Sequence, residues 1–275
     1  MSVSTTWADR LAATSSGSGA RCVVLGHGIG TDQNSWQPQA EALVRAGMRV
    51  LRFDFAGATP RTQALFHSAR HSSLYGFAED LTMLMGELDL RDAVYVGHSL
   101  GAMAGILAAA ASPGLFRAVV AIGASACYVD DPSTDYVGGY SRADVDAVFE
   151  LLRSNYVAWA NGFARSMVGS DGPHLSASEF TRALLGLRPD IAQAMLRATL
   201  LCDHRDEMRA LRTPLYMIHA TRDPAVPESA ARWLARHANA RRLVLIDAHG
   251  HLPHMTTPCP VAQALLQCLE DAFDA

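Results

Sequence analysis

Gly97-His98-Ser99-Leu100-Gly101 follows the apolar run Ala93-Val94-Tyr95-Val96 and opens the alanine-rich stretch Ala102 to Ala111. A serine hydroxyl is a weak nucleophile until it stands clear of its neighbours beside a general base. In a Gly-x-Ser-x-Gly turn between strand and helix the serine projects from a sharp bend, and the glycines let backbone segments pass closely. Glycine and serine also build ordinary turns. The flanking strand and helix are what give these five residues a chemical meaning, with Ser99 as the expected nucleophile.

Outwards from this turn, short apolar runs recur at Cys22 to Leu25, Arg49 to Phe53, Ala93 to Val96, Ala118 to Ile122, Leu215 to His219 and Leu243 to Ile246. Helical stretches alternate with them: Trp36 to Ala46, Leu74 to Leu88, Leu100 to Ala111, Pro227 to His237 and Pro260 to Phe273. Apolar strands alternating with helices predict an α/β fold, a mostly parallel, doubly wound sheet covered on both faces. Reactive groups then collect at the carboxyl ends of the strands. Thr14 to Ala20 is Ser/Gly-rich and reads as a turn or loose segment.

The alternation breaks between about Ala124 and Asp203. Four helical stretches replace it: Arg142 to Arg153, Asn155 to Val168, Ser176 to Gly186 and Asp190 to Leu201. The expected organisation is a core of residues 1–124 and 203–275 with a helical lid inserted over residues 125–202. Tyr156, Trp159, Phe163 and Met167 follow at steps of three or four and share one helix face. That face serves as packing between lid helices, as the roof of a pocket, or as both. Phe180 and Met195 carry the same two readings, and His98 and Tyr128 complete the candidate substrate-binding set.

A serine nucleophile needs a base, a group to orient it and donors for the oxyanion. Asp223 follows the strand at Leu215 to His219, and His251 follows the strand at Leu243 to Ile246. Both fall on the strand-end rim that carries Ser99, in the chain order serine, acid, histidine. Asp206 sits near a helix start, as a solvated or capping residue does. Asp247 is too close to His251 in sequence to come from a neighbouring strand end, and Asp54 reads as a structural turn residue. Among His249, His251 and His254, His251 is favoured because Gly250 permits a tight backbone approach. The other two read as loop or pocket-edge residues. Their spacing does not form a helical metal motif, so no metal is expected. The oxyanion donors are expected to be the N–H groups of Leu100 and of Ile29, the latter in the early loop Gly26-His27-Gly28-Ile29-Gly30. That loop lacks the Gly-x-Gly-x-x-Gly spacing of a dinucleotide site.

Composition agrees with a globular chain: 49% hydrophobic and 18% charged over 275 residues, enough for one full core. A net charge of −4, with all 23 basic residues arginine and scattered, offers no basic field for nucleic acid. Five widely spaced cysteines without a Cys-x-x-Cys pair suit a reduced compartment. No charged start precedes a hydrophobic stretch, and the most apolar windows are too short for a bilayer, so a soluble, cytoplasmic protein with no membrane partner is expected.

Five stretches carry a more specific resemblance: Gly26 to Gln33, Tyr95 to Ser99, Ser154-Asn155-Tyr156-Val157-Ala158-Trp159, Leu187-Arg188-Pro189-Asp190-Ile191 and Gly250-His251-Leu252-Pro253-His254. They span the first strand to the final helix, and two lie within the lid. In them the chain resembles the branch of the α/β-hydrolases that holds the bacterial stress regulator RsbQ and the plant strigolactone and karrikin receptors. The resemblance implies the α/β-hydrolase fold, a four-helix lid over a deep apolar pocket, and a triad at Ser99, Asp223 and His251. It implies slow, cofactor-free hydrolysis of small apolar esters or butenolide-like lactones, or alternatively a ligand-sensing regulator with a signalling protein partner. The branch commonly has Phe where Ile29 stands, which widens the cavity expected here. Leu100-Gly101 after the nucleophile is nearer the bacterial form than the Val-Ser of the plant receptors.

Overall fold

A computed structural model describes residues 6–169 and 174–274. Seven strands form one sheet: β1 (Thr14–Ser16), β2 (Cys22–Gly26), β3 (Arg49–Phe53), β4 (Val94–His98), β5 (Ala118–Ile122), β6 (Leu215–Arg222) and β7 (Arg242–His249). Their spatial order is β1-β3-β2-β4-β5-β6-β7. All neighbours pair in parallel except β1, which runs antiparallel to β3 with Thr14 opposite Arg52. This edge strand corrects the reading of Thr14 to Ala20 as a loose segment. Three polar residues at the sheet edge leave no hydrophobic pattern to read.

Side-chain alternation divides the core in two. On β5, Val119 and Ala121 join one cluster while Ala118, Val120 and Ile122 join the other. The first cluster is closed by α3 (Leu74–Glu87), α4 (Leu100–Ala111) and α10 (Glu228–His237); the second by α2 (Gln37–Arg45) and α12 (Pro258–Asp274). Both faces are therefore dry, as parallel strands require. The central strand β4 is buried at every position, which fixes the turn that follows it.

Shorter helices complete the chain: α1 (Trp7–Arg10), α9 (Arg205–Ala210) and α11 (Pro253–Thr256). Four consecutive helices, α5 (Arg142–Ser154), α6 (Tyr156–Val168), α7 (His174–Gly186) and α8 (Pro189–Leu200), form the roof over the strand ends. They share a third apolar cluster built from Phe149, Trp159, Leu184 and Leu196. An isolated bridge between Cys127 and Asp203 ties together the two segments that lead into and out of this layer. Among the described residues no helix is long and apolar enough to cross a membrane.

Candidate active site

Ser99 stands between β4 and α4 with φ 52° and ψ −118°, a conformation that L residues avoid. Such strain costs about 1–3 kcal/mol and persists only where surrounding structure enforces it. Here the enforcement is steric. A Cβ at Gly97 would strike the backbone of Gly101 and Ala102, and one at Gly101 would strike the carbonyl of His27. The Ser99 N–H donates to the Ile122 carbonyl at 2.9 Å, holding the bend against β5. The residue is buried, so its hydroxyl meets the interior of a cavity rather than bulk water.

That hydroxyl donates to His251 Nε2 at 2.9 Å, and His251 Nδ1–H donates to Asp223 Oδ2 at 2.7 Å. Strand ends separated by β5 thus deliver three side chains to one line. Asp223 is held by its other oxygen, Oδ1, which accepts the N–H groups of Ala225 at 2.8 Å and Val226 at 3.1 Å. Its side chain is wholly buried. A buried carboxylate needs such donors. Gly123, at φ +60°, leaves room for the pair, since a Cβ there would press on the His251 ring.

The early glycine loop lies against the serine, as a Cβ at Gly28 would come within 3.2 Å of Ser99 Cβ. His27 keeps the loop in shape. Its Nδ1–H donates to the Gly28 carbonyl at 2.8 Å, and its Nε2 accepts the Phe55 N–H at 3.0 Å. Among the described residues, the Ile29 N–H has no backbone acceptor, and the Leu100 N–H opens α4 with no carbonyl a turn below it. Sequence reading gave His27 no part in this; a histidine between two glycines carries no pattern that reveals it.

A cavity of about 210 Å³ opens over Ser99 and His251. Of the expected lining residues, His98, Tyr128, Phe163 and Phe180 reach it, together with Ile29. Tyr156, Trp159 and Met195 do not, which corrects the expected set. The Tyr156 hydroxyl donates to the Leu184 and Leu187 carbonyls, tying α6 to the end of α7. Trp159 stacks between Tyr156 and Phe163 inside the roof. Met195 packs into the sheet-facing core with Ile191 and Ala198. Helical spacing places a residue on a face but does not decide which neighbour that face meets. The sequence reading missed Tyr140, Val148, Ser166, Leu196, Thr199 and Ala225 as lining residues. Leu196, Thr199 and Leu200 follow at helical steps, a usable signal. A more open groove of about 520 Å³ lies outside, between α7 and the loop at Gly30 to Pro38, and Phe180 belongs to both walls.

His254 is fully buried, its ring against Trp36 at 4.5 Å and His98 at 4.5 Å, so it is a core residue rather than a pocket edge. Burial, reinforced by His251 and His27, lowers it to about 3. His98 is likewise held well below the ordinary imidazole range by burial and by the neighbouring His254 and His251. His249 ends β7, half-buried beside Gly169. The three histidines thus point to different surroundings, and no cluster of three metal-ligating side chains occurs among the described residues. Asp54 accepts the Gln33 N–H, and Asp206 pairs with Arg209 at the surface, both structural roles.

Residues 23–264 match the family described as the alpha/beta hydrolase family. The chain belongs to the α/β-hydrolase family. It is 37% identical over 249 residues to a probable esterase of Oryza sativa subsp. japonica, covering 90% of this chain and 91% of that protein. It is 36% identical to the Karrikin insensitive 2 receptor CA of Petunia hybrida, over 91% of this chain and 92% of that one. Among solved structures, a hydrolase from Oleispira antarctica is similar along 96% of both chains, with a TM-score of 0.92 and 27% identity. Membership of the α/β-hydrolase family, the probable esterase and the similar hydrolase structure support hydrolysis as the class of activity.

Proposed function

We propose that the protein is a serine hydrolase of small, largely apolar carboxylic esters or butenolide-like lactones, working through an acyl-Ser99 intermediate. The observation that carries this reading is the unbroken line from Ser99 Oγ through the His251 ring to Asp223 Oδ2, with both hydrogen bonds inside 3 Å. The Ser99 oxygen bonds to the carbonyl carbon while its proton passes to His251 Nε2. The N–H groups of Leu100 and Ile29 receive the charge that develops on the carbonyl oxygen. Collapse breaks the bond to the leaving oxygen, which takes the proton from His251. Water then attacks the acyl group with His251 again as base, releasing the acid and regenerating the serine. Asp223 holds the imidazole with its proton on Nδ1. Residues 125–202 act as the lid, and their apolar inner face selects the acyl chain. No cofactor enters this chemistry.

A second reading rests on the Karrikin receptor among the relatives and on one hydrogen bond, from the His251 N–H to the Met167 carbonyl at 2.6 Å. Because α6 bonds to the backbone of the base, occupancy of the site is able to bias the roof. A ligand-sensing regulator with a protein partner uses that bias. Pre-steady-state hydrolysis of p-nitrophenyl acetate, beside Ser99→Ala, tests the hydrolase reading. Sustained turnover lost in the variant supports a metabolic esterase. A burst of about one equivalent followed by near-silence supports the sensor, and equal turnover by both proteins refutes the Ser99 mechanism.

A further inference from the structure

Among the described residues, two buried hydroxyl groups in the cavity wall have no hydrogen-bond partner. Tyr128 and Thr199 are 2% and 3% exposed, both line the space over Ser99, and among the described residues neither oxygen makes a hydrogen bond. A buried hydroxyl left unpaired costs roughly 1–3 kcal/mol. A threonine inside a helix ordinarily turns its hydroxyl back to the carbonyl four residues earlier; Thr199 does not, although α8 is intact through Leu200. Leu196 and Leu200 beside it are apolar, so Thr199 supplies the one hydroxyl that α8 presents to the cavity. Tyr128 comes from the segment after β5 and shares the cavity wall with Ser99 and His251. One hydroxyl therefore lies beside the reacting centre and the other on the roof.

We propose that Tyr128 and Thr199 are specificity-determining residues that select an ester or lactone bearing a second hydrogen-bonding oxygen besides the scissile group. This deepens the hydrolase reading and rests on it. A wall built to bond an oxygen rejects the isosteric methylene, because the wall's own hydroxyls are then stranded. The substrate class is accordingly an oxygenated acyl compound (ether, hydroxyl or further carbonyl) rather than a plain alkanoate.

The test compares kcat/KM for p-nitrophenyl pentanoate with its two isosteres, the ethoxyacetate and the 3-methoxypropanoate, in which an oxygen replaces one methylene. Intrinsic reactivity is removed by comparing the oxygen-to-methylene ratio across proteins. The ratio is expected to fall about 5-fold in Thr199→Val or in Tyr128→Phe for at least one isostere, the loss of one neutral hydrogen bond. Thr199→Ser, which keeps the hydroxyl, is expected to retain the ratio. Ratios that stay equal in wild type, Thr199→Val and Tyr128→Phe, with all three turning over the esters, overturn this inference alone. Failure of the wild type to cleave any of the three esters overturns the hydrolase reading with it.

Discussion

The backbone N–H of His251 donates to the carbonyl oxygen of Met167 at 2.6 Å, so the last turn of a roof helix ends on the residue that carries the base. The final carbonyls of a helix have no intrahelical donor, and this one finds its donor in the active-site loop. The other side of the same residue is held too. His98, the neighbour of Ser99, donates its Nε2–H to the His251 carbonyl at 2.7 Å. His251 is thereby positioned by the roof through its N–H and by the nucleophile turn through its C=O.

Gly250 allows that grip. At φ +117° it passes so close to α6 that a Cβ would collide with the Val168 carbonyl. Gly250→Ala is expected to lower stability by about 2–3 kcal/mol and to reduce kcat, since strained backbone and a displaced His251 coincide. Gly162, on the exposed side of α6 with open space around it, is the control. Gly162→Ala is expected to raise stability by about 0.5–1 kcal/mol with kcat unchanged. Urea denaturation and steady-state kinetics on the two variants check both signs.

His98 reaches the cavity wall and also holds His251 through its carbonyl. His98→Leu is expected to lower kcat about 10–100-fold with little change in KM, because a base displaced by even an ångström is costly. His98→Gln, whose amide N–H replaces the imidazole donor, is expected to recover much of that loss. A parallel rise in KM, or failure of Gln to rescue, contradicts the positioning role.

Asp223→Asn separates orientation from folding. The amide oxygen in the Oδ1 position still accepts from Ala225 and Val226, but the amide nitrogen no longer accepts from His251 Nδ1–H. kcat is expected to fall about 10⁴-fold through the wrong imidazole tautomer, with the thermal midpoint nearly unchanged. Kinetics and circular-dichroism melts on one preparation decide it.

Four buried histidines set the acid limit of the fold. Burial lowers His27, against the opposing pull of Asp54, and lowers His219, against that of Asp223; burial and adjacent imidazoles lower His98 and His254. Each stays neutral when folded and takes a proton near pH 6.5 when unfolded. The unfolded state then binds more protons, so stability is full above about pH 6.5 and is lost as pH falls, by up to about 1.4 kcal/mol per unit for each histidine. For His254 the window runs down to about 3. Urea midpoints from pH 7.5 to 4.5 are expected to fall, and His254→Phe to make the slope shallower by one proton.

Sequence patterns disclosed what depends on local physics. Six of the seven strands show as apolar runs, and β5 matches its expected bounds of Ala118–Ile122. The seventh, at Thr14–Ser16, is a short polar edge strand paired on one side only, to β3, and leaves no hydrophobic pattern to read. That Ser99, Asp223 and His251 meet was legible because each lies just past the carboxyl end of a strand, and parallel strands share one rim. The cavity wall was less so. Trp159 and Met195 satisfied every helical criterion, yet one packs within the roof and the other against the sheet. Thr199 escaped notice because a single threonine among leucines carries no pattern, and its burial without a hydrogen-bond partner among the described residues shows only in the fold.

The most direct measurement is to quench a p-nitrophenyl acetate reaction within milliseconds, weigh the intact protein and map the adduct by peptide sequencing. One acetyl group on Ser99, absent from Ser99→Ala and lost as acetate is released, is the expected result. Turnover with no adduct on Ser99, or an adduct on another residue that forms and decays at the catalytic rate, contradicts the account.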